Sequence, residues 1–173
     1  TGVGVVAPNG IGKNAFWNSL INGKSGISKI TLFDASSFPT QIAGEVNNFV
    51  PSDFMDKKLV ERTGRFTQFA MAAVKICLED SSVSINKINP HRVGLILGTS
   101  SNAMDITEDQ MRVLQKEGIS RIRPSTISSI SPHAATGLIA SELGIMGSAI
   151  TISTTCNSGA DAIGMGFEDV KND

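Results

Sequence analysis

The chain has 173 residues, 40% hydrophobic and 18% charged, a balance that suits one soluble α/β-type domain with a real core. A formal net charge of −1 leaves no electrostatic footprint for nucleic acid or an anionic membrane, and Lys57-Lys58 reads as a solvated helix face. No apolar run reaches the length of a bilayer span, no signal peptide is visible, and Cys77 and Cys156 stand in unrelated contexts. A cytoplasmic protein with reduced thiols, no disulfide framework and no Cys/His metal cluster is therefore expected.

The opening "TGVGVVAPNG" has the glycine spacing of a dinucleotide fingerprint, but Pro8, Asn9 and Gly10 make a turn where that motif's helix must run. It reads instead as a buried strand leading into a loop. "GKNAFWNSLINGKSG" predicts a helix with Phe16, Trp17, Leu20 and Ile21 on one face and Asn22-Gly23 as its stop. "QIAGEV" (41–46) is a short strand, and "PSDFMDKKLVERTG" starts a helix with Ser52 as N-cap. In "RFTQFAMAAVKICLEDS" the residues Phe66, Phe69, Ala70, Ala73, Val74 and Cys77 recur at helical spacing, which makes Cys77 an inert member of a core stripe.

"RVGLILGTSS" is a continuous apolar run, the mark of a central strand covered on both faces. "AMDITEDQMRVLQKEG" predicts an amphipathic helix. "SPHAATGLIASELG" predicts another, with Ser131 as N-cap, Pro132 at its first position and Gly144 as its stop. "SAITIST" is a second buried strand, and a helix follows Cys156. Strands alternating with helices give an α/β class with a mainly parallel sheet and helices on both faces.

"TISTTCNSGADAIGMG" (151–166) places Cys156 where a buried strand meets a helix. Function in open α/β sheets concentrates at the carboxyl ends of strands. Unpaired N–H groups in a first helical turn favour a thiolate and can hold the oxyanion of a tetrahedral intermediate. Gly159, Gly164 and Gly166 weaken that helix and so call for close approach of another element. The spacing alone leaves two readings open, a nucleophile or a small buried thiol at a tight corner.

"STTCNSGADAIG" resembles the nucleophile motif of the β-ketoacyl-(acyl-carrier-protein) synthases, decarboxylating condensing enzymes of the thiolase fold. "TGVGVVAPNG", "LINGKSGIS", "FDASSFPTQIAGEV", "RVGLILGTS" and "SELGIMGSAITISTTC" resemble further stretches of that family in the same order, so the likeness runs over essentially all of the chain. It implies a thiolase-like layered α/β fold of which residues 1–173 are an incomplete, amino-terminal part.

The resemblance further implies that Cys156 accepts an acyl group from a carrier-protein thioester, with its backbone N–H as one oxyanion donor, and that Thr155 and Ser101 line or gate the acyl pocket. Substrates would ride on the phosphopantetheine of an acyl carrier protein, with no other cofactor. The partners implied are that carrier protein and a second synthase subunit, identical or sister, paired through "SAITIST". The family's two catalytic histidines, its lysine and its second oxyanion donor lie in the later part of longer chains, and His91 and His133 match none of them. Residues 1–173 alone are thus expected neither to condense acyl groups nor to fold stably. Two positions depart from the fatty-acid members and bear on acyl length and polarity: Ser101, usually apolar there, and Arg121-Ile122-Arg123. Asp161 stands where many of those members carry histidine, and "SGADAIG" is closer to synthases of polyketide pathways. The alternatives are a non-catalytic chain-length-factor-like partner, against which Cys156 counts, and another thiolase-fold enzyme such as a thiolase.

Overall fold

The structure, a computed structural model, describes residues 1–172. Its elements are, in order, β1 (Val6–Ala7), β2 (Gly10–Ile11), α1 (Lys13–Ile21), β3 (Ser28–Lys29), β4 (Ile42–Ala43), α2 (Lys57–Val60) and α3 (Arg65–Ser81). There follow β5 (Leu95–Gly98), α4 (Met104–Glu117), α5 (Thr126–Ile130), α6 (Ala134–Leu143), β6 (Ala149–Ile152) and α7 (Ser158–Asn172). They divide into two compact units, Thr1–Met55 with Met71–Val83, and Asp56–Ala70 with Ser84–Asp173.

In the first unit Pro8 and Asn9 are the two-residue link of an antiparallel ribbon, with Val6 opposite Ile11 and Ala7 opposite Gly10. The expected buried strand is thus two half-buried residues of a hairpin, because the turn folds the chain straight back. The glycines that mimic a nucleotide fingerprint have another purpose. A Cβ on Gly4 would stand 1.8 Å from the Ala73 carbonyl oxygen, and one on Gly2 2.2 Å from that of Cys77, so backbone lies directly on α3. The Val3 N–H and the Lys13 ammonium both bind the Asp80 carboxylate.

Helix α1 ends as expected, with Asn22 as C-cap and Gly23 at φ +61°. Its apolar face is open, since Trp17, Leu20 and Ile21 are all exposed. The strand expected in 41–46 is β4, which pairs antiparallel with β3. Beyond it the Glu45 carboxylate accepts hydrogen bonds from the Thr31 hydroxyl (2.7 Å), the Thr31 N–H (3.0 Å) and the Leu32 N–H (3.1 Å). The bond from the Thr31 hydroxyl is the largest of the influences that hold this carboxyl below the usual range.

Ser52 is not a cap: Pro51–Asp53 form a single 3₁₀ turn, and Asp56 caps α2 by accepting the Lys58 N–H at 2.8 Å. Helix α3 is present, but its most buried residues are Thr67, Gln68, Met71 and Ala72. The most buried stripe therefore lies beside the one drawn through Phe66, Phe69 and Ala73, which are half-buried. Cys77 is half-buried there.

The second unit is built on the parallel pair β5–β6, in register Leu95↔Ala149 through Gly98↔Ile152. Alternation along the strands turns Leu97 and Thr151 to one face and Ile96 and Gly98 to the other. On the first face lies α6, where the hydroxyls of Thr136 and Thr151 meet at 2.7 Å and His133 Nδ1 reaches the Thr151 hydroxyl at 3.0 Å. On the second lies α7. Helices on both faces agree with the sequence reading, and the half-buried strands form the one parallel pair among the described residues. Helix α6 starts at Ala134 with His133 as its N-cap, later than the Ser131 cap implied, and the Ser131 hydroxyl accepts the His133 N–H (3.3 Å) in the turn before it; the helix stops at Gly144, φ +65°, as expected.

Gly98 is the glycine of this unit that another backbone approaches most closely. A Cβ there would lie 2.1 Å from the Ser158 carbonyl oxygen and 2.6 Å from the Gly159 nitrogen. The helix glycines do not repeat this: an added Cβ meets nothing within 4 Å at Gly159 or Gly164 among the described residues, and only Ile96 at 3.8 Å from Gly166. The close approach expected of them belongs to the strand glycine opposite. The outer stripe of α7 is bare, with Ile163 76%, Phe167 62% and Val170 83% exposed.

Two outcomes are expected. Gly98→Ala should destabilise by about 3 kcal/mol by urea denaturation, since backbone must move to admit the methyl. Gly94→Ala, whose Cβ would sit 3.4 Å from Ser148 atoms, should change little. Glu45, with its carboxyl held low in the fold, contributes stability above the unfolded value, which is lost as pH falls through the folded one. The Thr31 and Leu32 amide resonances should therefore shift together on acidification below the usual carboxylate range, and Glu45→Gln should remove that titration.

Candidate active site

Both strands of the parallel pair end at one edge, and the Thr99 N–H still donates to the Ile152 carbonyl (2.9 Å) beyond the last register pair. From that edge β6 runs through Ser153 and Thr154 into a single 3₁₀ turn, Thr155–Asn157, before α7 begins at Ser158. Cys156 is therefore in the turn that leads into the helix rather than in the helix's own first turn. The reason lies in the backbone: Thr155 takes φ +57°, a conformation that costs a β-branched residue on the order of 1–3 kcal/mol and interrupts regular structure.

Side chains of α7 hold the turn from two sides. Ser158, only 2% exposed, accepts the Thr154 N–H at 2.9 Å and donates to the Thr155 carbonyl at 2.6 Å. These two bonds bracket the residue with positive φ. On the other side the Asp161 carboxylate takes the Thr154 hydroxyl and, at 2.7 Å, the Asn157 amide. Gly98 completes the arrangement from the sheet, since a side chain there would push the start of α7 away. Held this way, Cys156 is exposed at the carboxyl edge of the pair. Its backbone N–H has no partner among the described residues and is free to donate to an external oxygen.

Thr155 and Ser101 follow the ends of β6 and β5 at the same edge, both exposed. No hydrogen bond joins Ser101 to Thr155 or Cys156 among the described residues; what brings them together is register. The Ser101 loop is fixed next door, where the Asn102 amide donates to the Ile130 carbonyl at 3.2 Å and Ala103, φ +48°, opens α4. The basic stretch is anchored by its backbone: buried Gln110 of α4 accepts the Arg123 N–H at 2.8 Å, while the Arg123 guanidinium pairs with Asp109. The histidines serve elsewhere, His133 against Thr151 and His91 in the Pro90–Arg92 turn before β5.

No group of three metal-ligating side chains and no helix long and apolar enough to cross a membrane occurs among the described residues. Ser158, Asp161 and Gly98 had no assigned role in the sequence. The i, i+4 spacing of Asn157 and Asp161 was the available signal for one of them.

The chain matches the family model of the β-ketoacyl synthase N-terminal domain over residues 1–173. It is 40% identical to a 3-oxoacyl-[acyl-carrier-protein] synthase 2 of Coxiella burnetii, over 95% of this chain and 40% of the relative. It is 36% identical to one of Synechocystis, over 99% and 41%. It thus spans about two fifths of the length of these curated relatives. Among solved structures it is similar to a chain in the structure of a type II polyketide synthase acyl-carrier protein in complex with its ketosynthase bound to the hexaketide, with TM-score 0.81 and 25% identity over 99% of this chain and 46% of that one. The ishigamide ketosynthase/chain length factor, at TM-score 0.81 and 24% identity over 96% and 43%, shares the fold. A strand pair ending in an exposed cysteine, on a fold shared with ketosynthases and with a family match across its whole length, makes this chain a member of the β-ketoacyl synthase family, within its amino-terminal domain.

Proposed function

We propose that Cys156 is the nucleophile of a decarboxylative Claisen condensation in fatty-acid or polyketide biosynthesis. The observation that carries this reading is the exposed Cys156 thiol on a turn fixed at the carboxyl edge, beside its own free N–H, in a chain of this family. The Cys156 sulfur attacks an acyl thioester, the carrier's thiolate leaves and is protonated, and an acyl-enzyme results. A malonyl thioester then loses carbon dioxide, and the electron pair of the broken C–C bond becomes an enolate. The enolate carbon attacks the acyl-enzyme carbonyl, the C–S bond breaks, and a 3-oxoacyl thioester departs as the Cys156 thiolate is regenerated. The Cys156 N–H donates to the tetrahedral oxyanion in both transfers.

Thr155 and Ser101, at the same edge, border the path of the acyl chain. Proton transfer and stabilisation of the enolate fall to groups outside these residues, since His91 and His133 are placed elsewhere. The acyl groups arrive on phosphopantetheine of an acyl carrier protein, in the cytoplasm, with no further cofactor. The family membership and the relatives' names support the delivery of acyl groups by a carrier protein.

The reading is tested in the full-length protein with iodoacetamide near neutral pH. Cys156 should be alkylated and the half-buried Cys77 spared; labelling of Cys77 alone overturns the assignment. Cys156→Ala should lower condensation by about 10⁴-fold or more with unchanged thermal unfolding, because a methyl fits an exposed turn.

We also infer a dimer, identical or with a sister subunit, through β6. The strand is apolar and uncharged, pairs on one side with β5, and carries no edge protection of its own. Light scattering of the full-length protein at micromolar concentration should give twice the subunit mass; a monomer contradicts the inference.

A further inference from the structure

Asp161 is half-buried in the first turn of α7, and the two side chains that donate to its carboxylate lie in the segment that carries the thiol. The Thr154 hydroxyl precedes Cys156 and the Asn157 amide follows it, so one carboxylate ties the two ends of the turn to the same point of the helix. Buried Ser158 fixes the backbone of Thr154 and Thr155 from beneath but reaches neither of these side chains. Asn157 and Thr154 are otherwise exposed residues beside a positive-φ threonine, where nothing in local preference would keep them still. A carboxylate has acceptor capacity for both donors at once, and hydrogen bonds to an ionised group hold geometry more firmly than neutral ones.

We infer that Asp161 is a positioning residue for the Cys156 thiol, clamping the Thr154–Asn157 turn so that the sulfur and its N–H meet an incoming thioester together. The inference rests on the reading of Cys156 as the nucleophile. It assigns Asp161 no contact with substrate. Without the clamp the thiol stays accessible but samples directions in which attack and oxyanion donation do not coincide. Misplacement of a reacting group on this scale costs about tenfold or more in rate.

The test uses the full-length protein and two readouts: kcat and KM for acyl transfer from a carrier-protein thioester to Cys156, and the rate of Cys156 alkylation by iodoacetamide, which needs access but little orientation. Asp161→Ala should lose about tenfold in kcat with KM and alkylation within threefold of the unmodified protein. Asp161→Asn, which can accept from Asn157 and donate to the Thr154 hydroxyl, should recover much of that loss. Thr154→Val should show a loss of the same kind, and combined with Asp161→Ala it should fall no further, since both act through one clamp. Unchanged kcat in Asp161→Ala and Thr154→Val, a loss carried by KM, or fully additive losses would each overturn the inference. Failure of the unmodified protein to become acylated at Cys156 would instead remove the nucleophile reading on which it rests.

Discussion

The arrangement at the sheet edge depends on how closely α7 can approach β5. A strand residue with any side chain at position 98 would collide with the Ser158 carbonyl. Glycine there lets the start of the helix settle on the strand, which in turn buries Ser158. Only when buried at that depth can the Ser158 hydroxyl reach both the N–H of Thr154 and the carbonyl of Thr155. The strained φ of Thr155, and with it the outward position of Cys156, follows from those two bonds. A contact between backbones, with no functional group of its own, thus determines where the thiol stands.

The same economy appears in the first unit, where Gly2 and Gly4 allow an extended segment to lie against the backbone of α3. In both units an apparent motif or an apolar run proves to be a place where two main chains touch. Helix α7 works in two directions. Its inner side, Ser158 and Ala162, is buried against the sheet, while Ile163, Phe167 and Val170 form a bare apolar stripe outside. A helix that is apolar on opposite sides fits between two layers, as expected of a layered fold.

Much of this was legible in the sequence, and the exceptions share a cause. The strands 95–98 and 149–152, the helices after them and the stops at Asn22-Gly23 and Gly144 were written in hydrophobic period and glycine placement. Cys156 was legible as the end of a β-branched run. Capping was read less well, because Ser52 and Asp56 are both acceptable caps, and the chain makes only a 3₁₀ turn around Ser52 before α2 begins behind Asp56. The most buried side of α3 was displaced towards Thr67, Gln68 and Met71 because a reading of apolar periodicity passes over polar side chains such as Thr67 and Gln68, which this fold buries. The helix glycines suggested a close approach that the structure places at Gly98 instead. Asp161 looked like a marker of subfamily, since a hydrogen bond to a turn three-dimensionally adjacent leaves little trace in a pattern of hydrophobicity.

The parallel register of β5 and β6 also sets an order of events. Parallel neighbours cannot be joined by a tight turn, so the chain must complete the crossover through α4, α5 and α6 before Gly98 and Ile152 can meet. The loop-closure entropy of that crossover is met before any contact at the sheet edge repays it. Until then Ser158 has no strand glycine to settle on, and the turn at Thr155 has nothing to offset its strain. The corner that carries Cys156 is therefore among the last features of its unit to take shape as the chain folds, and among the first to be lost when the strand pair parts.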